Sequence, residues 1–348
     1  MKRLGFYFFG VVVAVSLSAF NARAATNQPP DFQEVYDLLR SHLAGSNEKE
    51  LNHAAVQGLV SQLYPRVSIV TNAPKSNAET KLVSKTSLFD GPIGYVRIAR
   101  VGDGLANAIH DAHRELNTTN KLKGLVFDLR FANGDDYSEA VEVADLSCAN
   151  ERPLLDFGKG MSRSKSKSDA LRMPVAVLVN HQTASAAEAL ASVLREIGAG
   201  LIIGANTAGQ AAITKDFDLR GGGQLRIATS MIKLGDGTTI SMRGVKPDIE
   251  VPVSAADEKA YLANPFADLN SSGDLTANNL SSTNSASTNR LRRRISEADL
   301  VRARREGATL DDLPEKEEAE KAEVRDPALA RALDVLKGLA VVRQFKAN

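Results

Sequence analysis

The sequence is short of cysteine, of net charge and of long apolar runs, and each shortage excludes something. Cys148 is the one cysteine, so no intramolecular disulfide can form and the fold must be stable without one. It closes the apolar run Val141, Val143, Ala144 and Leu146, the setting of a packed thiol rather than a nucleophile. The 43 basic and 42 acidic side chains leave a net charge of +1. That removes the electrostatic basis for nucleic acid or an anionic membrane surface as the main partner. No His, Cys or carboxylate cluster shows ligand spacing, so neither a metal nor another cofactor is expected. Beyond Phe20 no apolar segment is long enough to span a bilayer.

What is present begins with a targeting pattern. Lys2 and Arg3 precede the apolar stretch Leu4 to Phe20, and Ala22-Arg23-Ala24 supplies small residues at the spacing a signal peptidase reads. Residues 1–24 read as a signal peptide, which places the mature chain in the periplasm or cell envelope, without a membrane span once the signal is removed. The alternative, a membrane anchor, is disfavoured by the small-residue site directly after the apolar stretch.

Two helices follow in a region spanning 25–65. Asp31 can cap the first, with Phe32, Val35, Leu39 and Leu43 at helical spacing. Ser46 starts the second, with Leu51, Ala55, Leu59 and Leu63 on one face, and Gly45-Ser46 breaks the pair into a hairpin. Residues 66–90 are polar and read as a linker. From 91 to 253 strands and helices alternate: Tyr95 to Ile98, a helix through Leu105 and Leu116, Leu125 to Phe127, a helix from Tyr137 to Leu146, the buried-type strand Val175 to Val179, a helix from Ala184 to Ile197, and Leu201 to Ile203. This alternation predicts an α/β core. Short strands with glycine-rich turns follow at Ile213 to Leu219, Gln224 to Ser230 and Thr238 to Met242. Residues 254–325 read as a low-complexity and charged linker. Asp326-Pro327 opens a last helix, 326–345, with Leu329, Leu333, Leu336 and Ala340 on one face.

The chemistry centres on Val175 to Glu188. A buried strand ends in the polar turn Asn180-His181-Gln182-Thr183, and Ser185 stands at the head of a helix of small residues. Free N–H groups of a first helical turn can stabilise an oxyanion, and the helix dipole favours negative charge there. A serine before a helix is also an ordinary cap, and the segment alone does not choose between the two.

Its surroundings do. Val175 to Glu188 resembles the nucleophile segment of the tail-specific (C-terminal-processing) serine proteases. Gly124-Leu125-Val126-Phe127-Asp128-Leu129-Arg130 is similar to that family's Gly-Leu-Ile-Leu-Asp-Leu-Arg strand, and Glu139 to Leu146 to the helix after it. Gly204 to Gly209 resembles its Gly-Glu-x-Thr-x-Gly turn, Gly244-Val245-Lys246-Pro247-Asp248 its Gly-Ile-x-Pro-Asp terminator, and Phe32 to Leu63 its N-terminal helical region. The resemblance implies a crotonase-like/Clp-protease-like α/β core with an N-terminal helical hairpin, a small β-rich end and a C-terminal helix. It implies Ser185 as nucleophile, the backbone N–H groups of Gly134 and Ala186 as oxyanion hole, Glu188 as a supporting residue and a polypeptide as substrate.

The chain departs from that pattern at three places. Gln210, in Ala208-Gly209-Gln210-Ala211, occupies the position of the general-base lysine. An amide has no usable basicity, and a serine hydroxyl is a poor nucleophile until a base takes its proton. Asp135 stands where the family has a second glycine after Ala132-Asn133-Gly134. Residues 65 to 90 are too few for the PDZ domain that usually sits there. Other bases are poorly placed. Lys215 is roughly 16 Å of strand beyond Gln210 and on the opposite face. His181 lies in the turn before Ser185, and nothing links His110 or His113 to the serine. The basic loop Lys159 to Lys167 is either a surface loop or a cover that favours acidic peptides. The expectation is therefore an exported serine-type peptidase by family, impaired at its base. Its alternative is an inactive pseudoprotease that binds peptides or, through its last helix, an envelope partner protein.

Overall fold

The computed structural model describes residues 29–45, 47–70, 81–90, 92–267, 269 and 324–347. The expected signal segment 1–24, Ser46, and the polar and charged stretch 270–323 lie outside the described residues. The chain divides into two compact units, one ending at Gln62 and one starting at Leu63.

The first unit holds the helical hairpin. The short Asp31 carboxylate accepts from the N–H groups of Gln33 and Glu34 and starts α1 (Phe32–His42). The second helix, α2, covers Glu48–Leu63. Tyr36 Oη donates to Asn52 Oδ1 across the pair at 2.5 Å.

The elements of the second unit are, in chain order, β1 (Val67–Val70), β2 (Val83–Phe89), β3 (Ile93–Ile98), β4 (Arg100–Val101), α3 (Leu105–Asn120), β5 (Gly124–Asp128), β6 (Asn133–Gly134), α4 (Tyr137–Asp145), β7 (Pro153–Asp156), β8 (Met161–Arg163), β9 (Val175–Val179), α5 (Ala186–Glu196), β10 (Gly200–Gly204), β11 (Ala212–Asp218), β12 (Gln224–Met231), β13 (Lys233–Leu234), β14 (Ile249–Glu250), α6 (Ala255–Ala263) and a C-terminal helix (Pro327–Ala347). Six strands form a sheet in the order β14-β10-β9-β5-β3-β2. Its pairs are parallel except the antiparallel edge β2–β3.

Both faces of this sheet are covered, which is why β9 is buried at every residue. Alternation sorts the side chains. Val175, Val177 and Val179 join Leu125, Phe127 and, from α5, Leu190 and Leu194 in one core. Ala176, Leu178 and Val126 point the other way, onto Ala328, Leu329, Ala332, Leu333 and Leu336 of the C-terminal helix. The last helix thus docks on its own sheet. Its leucines contribute about 1.5–3 kcal/mol each, and the face expected to meet an envelope partner is already occupied.

Asp326 anchors that helix twice. It caps it, accepting from the N–H groups of Ala328 and Leu329 at 3.1 and 3.2 Å. It also pairs with Arg130 at 2.8 Å. Arg130 reaches Asp128 through Nε at 3.0 Å and Nη2 at 2.6 Å, and Tyr95 Oη donates to Asp128 at 2.8 Å. All three charged groups are buried. Burial alone would lower the Arg130 guanidinium, but Asp128 and Asp326 raise it well above its ordinary value.

Three stretches differ from the sequence expectation. Residues 66–90 carry β1 and β2 rather than a plain linker. β1 is recruited by a partner far along the chain, pairing Val67 with Ile227 of β12, and it completes an antiparallel sheet β1-β12-β11. Residues 238–242 do not form a strand: Thr239 makes a single bridge to Lys233. The stretch after Val253 opens with α6, capped by Ser254.

Candidate active site

The end of β9 delivers the chain to the site. Asn180 Oδ1 accepts from the N–H groups of Phe131 and Gln182 at 3.0 and 3.1 Å. Thr183 Oγ1 donates to Leu129 O at 2.8 Å and accepts from Asn180 N–H at 3.0 Å. Ala184 N–H donates to Ala132 O at 3.0 Å. The turn 180–184 is thereby laced to the loop that leaves β5.

Ser185 comes next, with φ +54° and ψ −120°. A side chain held in such a region costs about 1–3 kcal/mol and persists only when its surroundings impose it. Here Glu188 imposes it. Glu188 is buried, and Oε2 accepts from the N–H groups of Ser185 and Gln210 at 2.9 and 2.7 Å. Oε1 accepts from Thr207 Oγ1 and from Gly209 N–H at 2.7 Å. Burial pushes the Glu188 carboxyl above its ordinary range, against the four bonds from Thr207, Gly209, Gln210 and Ser185. Thr207 Oγ1 in turn accepts from Val245 N–H at 2.7 Å. The helix head and the 204–210 turn therefore meet on one carboxylate, and the 244–248 segment joins them through Thr207. Gly209, with φ +74°, is required there: a Cβ would sit 2.4 Å from Met242 O.

Gly134 lies in β6, which pairs in parallel with β4. Its φ is +145°, and a Cβ would come within 2.1 Å of Val101 O, so only glycine fits. Ala186 is the first residue of α5, where an N–H has no acceptor within the helix. Asp135 is not among the positive-φ positions of the described residues. Its side chain lines the serine pocket and pairs with Arg100 at 3.1 Å, so the backbone tolerates the lost second glycine.

Gln210 donates its backbone N–H to Glu188 and its side-chain Nε2 to Tyr64 Oη, 2.8 Å away. Ser185, Gln210 and Tyr64 line one pocket of about 810 Å³. Its floor is one face of the antiparallel sheet: Ala212, Thr214 and Asp216 of β11, Arg226 and Ala228 of β12, and Ser68 of β1. Arg226 is committed to Asp216 through two bonds of 2.7 Å. Tyr137 and Phe157 stand beside it, stacked at 6.2 Å.

The basic loop divides. Arg163 pairs with Glu151 at 2.7 Å and Lys167 with Asp145, whereas Lys159 lines the pocket, above the Phe157 ring. Lys215 and His181 are exposed and do not line it. His110 and His113 belong to α3. Among the described residues no group of three or more His, Cys, Asp or Glu could hold a metal. Sequence reasoning missed Asn180, Thr207 and Tyr64. Asn180 and Thr207 stood inside quoted segments, and only Tyr64 carried no local signal.

A strained serine at the head of a buried helix after a parallel strand is also how α/β-hydrolases present a nucleophile. The chain matches the model of Peptidase family S41 over residues 92–251. It is 31% identical over 226 residues to the C-terminal processing peptidase, chloroplastic, of Tetradesmus obliquus, covering 63% of this chain and 48% of that one. It is 29% identical over 177 residues to the carboxy-terminal-processing protease of Bartonella bacilliformis, covering 47% and 39%. The chain thus spans less than half the length of these relatives. A solved structure from Parabacteroides merdae shares the fold, at 18% identity and a TM-score of 0.50, covering 67% of this chain and 86% of that one.

Proposed function

We propose that this is an exported S41-family protein whose Ser185 pocket binds an extended polypeptide, with hydrolysis impaired at the proton-transfer step. Ser185 is the nucleophile position, the N–H groups of Gly134 and Ala186 form the oxyanion hole, and Glu188 holds the helix head. One observation carries the reading. Gln210, in the position of the base, spends its amide on Tyr64, and among the described residues no basic nitrogen hydrogen-bonds the Ser185 hydroxyl. Losing a base costs several orders of magnitude in rate, while a formed oxyanion hole and binding site retain part of the acceleration.

A second reading keeps full turnover and takes its base from Lys159, because that side chain lines the same pocket. Among the described residues no hydrogen bond joins that ammonium to the Ser185 hydroxyl, and it stands over the Phe157 ring, 5.8 Å from the centroid, which works against it. The test is incubation of the mature chain with unfolded casein, followed by mass spectrometry, alongside Ser185→Ala and Lys159→Gln. The proposal expects casein peptides to bind, with wild-type cleavage barely above Ser185→Ala. Rapid cleavage abolished by both substitutions would establish the second reading.

A further inference from the structure

The oxyanion hole has two arms from different parts of the chain, Gly134 after β5 and Ala186 after β9, and it works only if both donors are fixed at once. We infer that Asn180 is the positioning residue that joins these arms, and that Glu258 of α6 sets the direction of its amide; this rests on the Ser185 pocket reading above.

Asn180 is 1% exposed and its side chain is used at both ends. Oδ1 receives Phe131 N–H from one arm and Gln182 N–H from the other, at 3.0 and 3.1 Å. Nδ2 donates to Glu258 Oε2 at 2.9 Å. The amide cannot be turned over, because Nδ2 would then face two N–H donors and Oδ1 a carboxylate. Aspartate would satisfy the two N–H groups and oppose Glu258; alanine would satisfy neither side. The bond to Phe131 falls where it is needed, since Phe131 has φ +63°. Three residues further on is Gly134. Together with Thr183 to Leu129 and Ala184 to Ala132, the Asn180 bond fixes the arms at three successive points. Glu258 is 5% exposed and sits on an element that does not line the pocket; its bond to Asn180 is its link to the site.

The test compares a tripeptide carboxamide, acetyl-Ala-Ala-Ala-NH2, with the analogue bearing a boronic acid at its C-terminal carbon. The Ser185 oxygen donates a lone pair to boron and a B–O bond forms. The hydroxyl proton passes to buffer, and a boron hydroxyl of the resulting tetrahedral anion enters the oxyanion hole. Wild type is expected to bind the boronate more tightly and to move its ¹¹B resonance from trigonal to tetrahedral. In Asn180→Ala the carboxamide affinity holds while the boronate advantage falls by about tenfold or more. Glu258→Ala does the same, and Glu258→Gln, which keeps the acceptor, retains the advantage. An undiminished advantage in Asn180→Ala overturns the inference. A wild type that binds the carboxamide and gains nothing from boron also overturns it, with peptide binding left standing. If neither probe binds, the peptide-binding reading falls, and amide hydrogen exchange decides the inference. Asn180→Ala must then accelerate Phe131 and Gln182 and leave Val177 protected; unchanged exchange at both overturns it.

Discussion

Asp128 and Asp326 share a buried guanidinium, whereas Glu188, equally buried, is met by four hydrogen-bond donors and, among the described residues, pairs with no cation. The first arrangement closes the fold, locking the C-terminal helix onto the sheet across 196 residues of chain. The second shapes the site, holding Ser185 in its strained backbone. In the tail-specific pattern a lysine would stand beside it at residue 210. On the proposed reading, charge compensation is present where the architecture depends on it and missing where proton transfer would depend on it.

The contrast can be broken at either end. Arg130→Met leaves two buried carboxylates facing each other and should cost about 3–5 kcal/mol in urea unfolding; a loss below about 1 kcal/mol would mean that the pair shares a proton instead. Glu188→Gln keeps an acceptor for two donors and turns an NH2 toward the others. It should cost about 1–3 kcal/mol and release the Ser185 backbone, seen as faster amide exchange at Ser185 and Gln210. Asp326→Asn retains the cap and loses one charged partner of Arg130, a loss of about 1–2 kcal/mol read by the same unfolding. The smallest effect is on pH. Burial pushes Glu258 up, though the Asn180 bond and the Arg130 charge oppose it. The folded state then binds a proton where the unfolded state has released it. Stability should decline as pH rises from the ordinary carboxylate range through the raised value, and Glu258→Gln should flatten that slope. A slope of opposite sign in wild type would show that the hydrogen bond outweighs burial.

Much of this was readable from the chain, for local reasons. Val175 to Val179 declared a strand buried on both faces, and Asp31 and Asp326-Pro327 announced helix starts. Ser185 was proposed as the nucleophile from ordered segments around it. What stayed hidden depends on distant partners. β1 exists because β12 receives it, with Val67 opposite Ile227. Nothing near Tyr64 says that it will hold Gln210, and nothing near Arg130 says that its second carboxylate is Asp326. The Lys159 to Lys167 run read as one basic loop; Arg163 and Lys167 are paired with Glu151 and Asp145, and of its four charges Lys159 alone lines the pocket.

Gln210→Lys tests the central claim most directly, measured as casein cleavage against the same substitution made in Ser185→Ala. A lysine at 210 places an amine beside the buried Glu188 and within the serine pocket. The account predicts Ser185-dependent cleavage at least about 100-fold above wild type, because on the proposed reading the site is short only of its base. Wild type cleaving as fast as Gln210→Lys, with both rates lost in Ser185→Ala, would contradict it and show that the reaction centre already has its base.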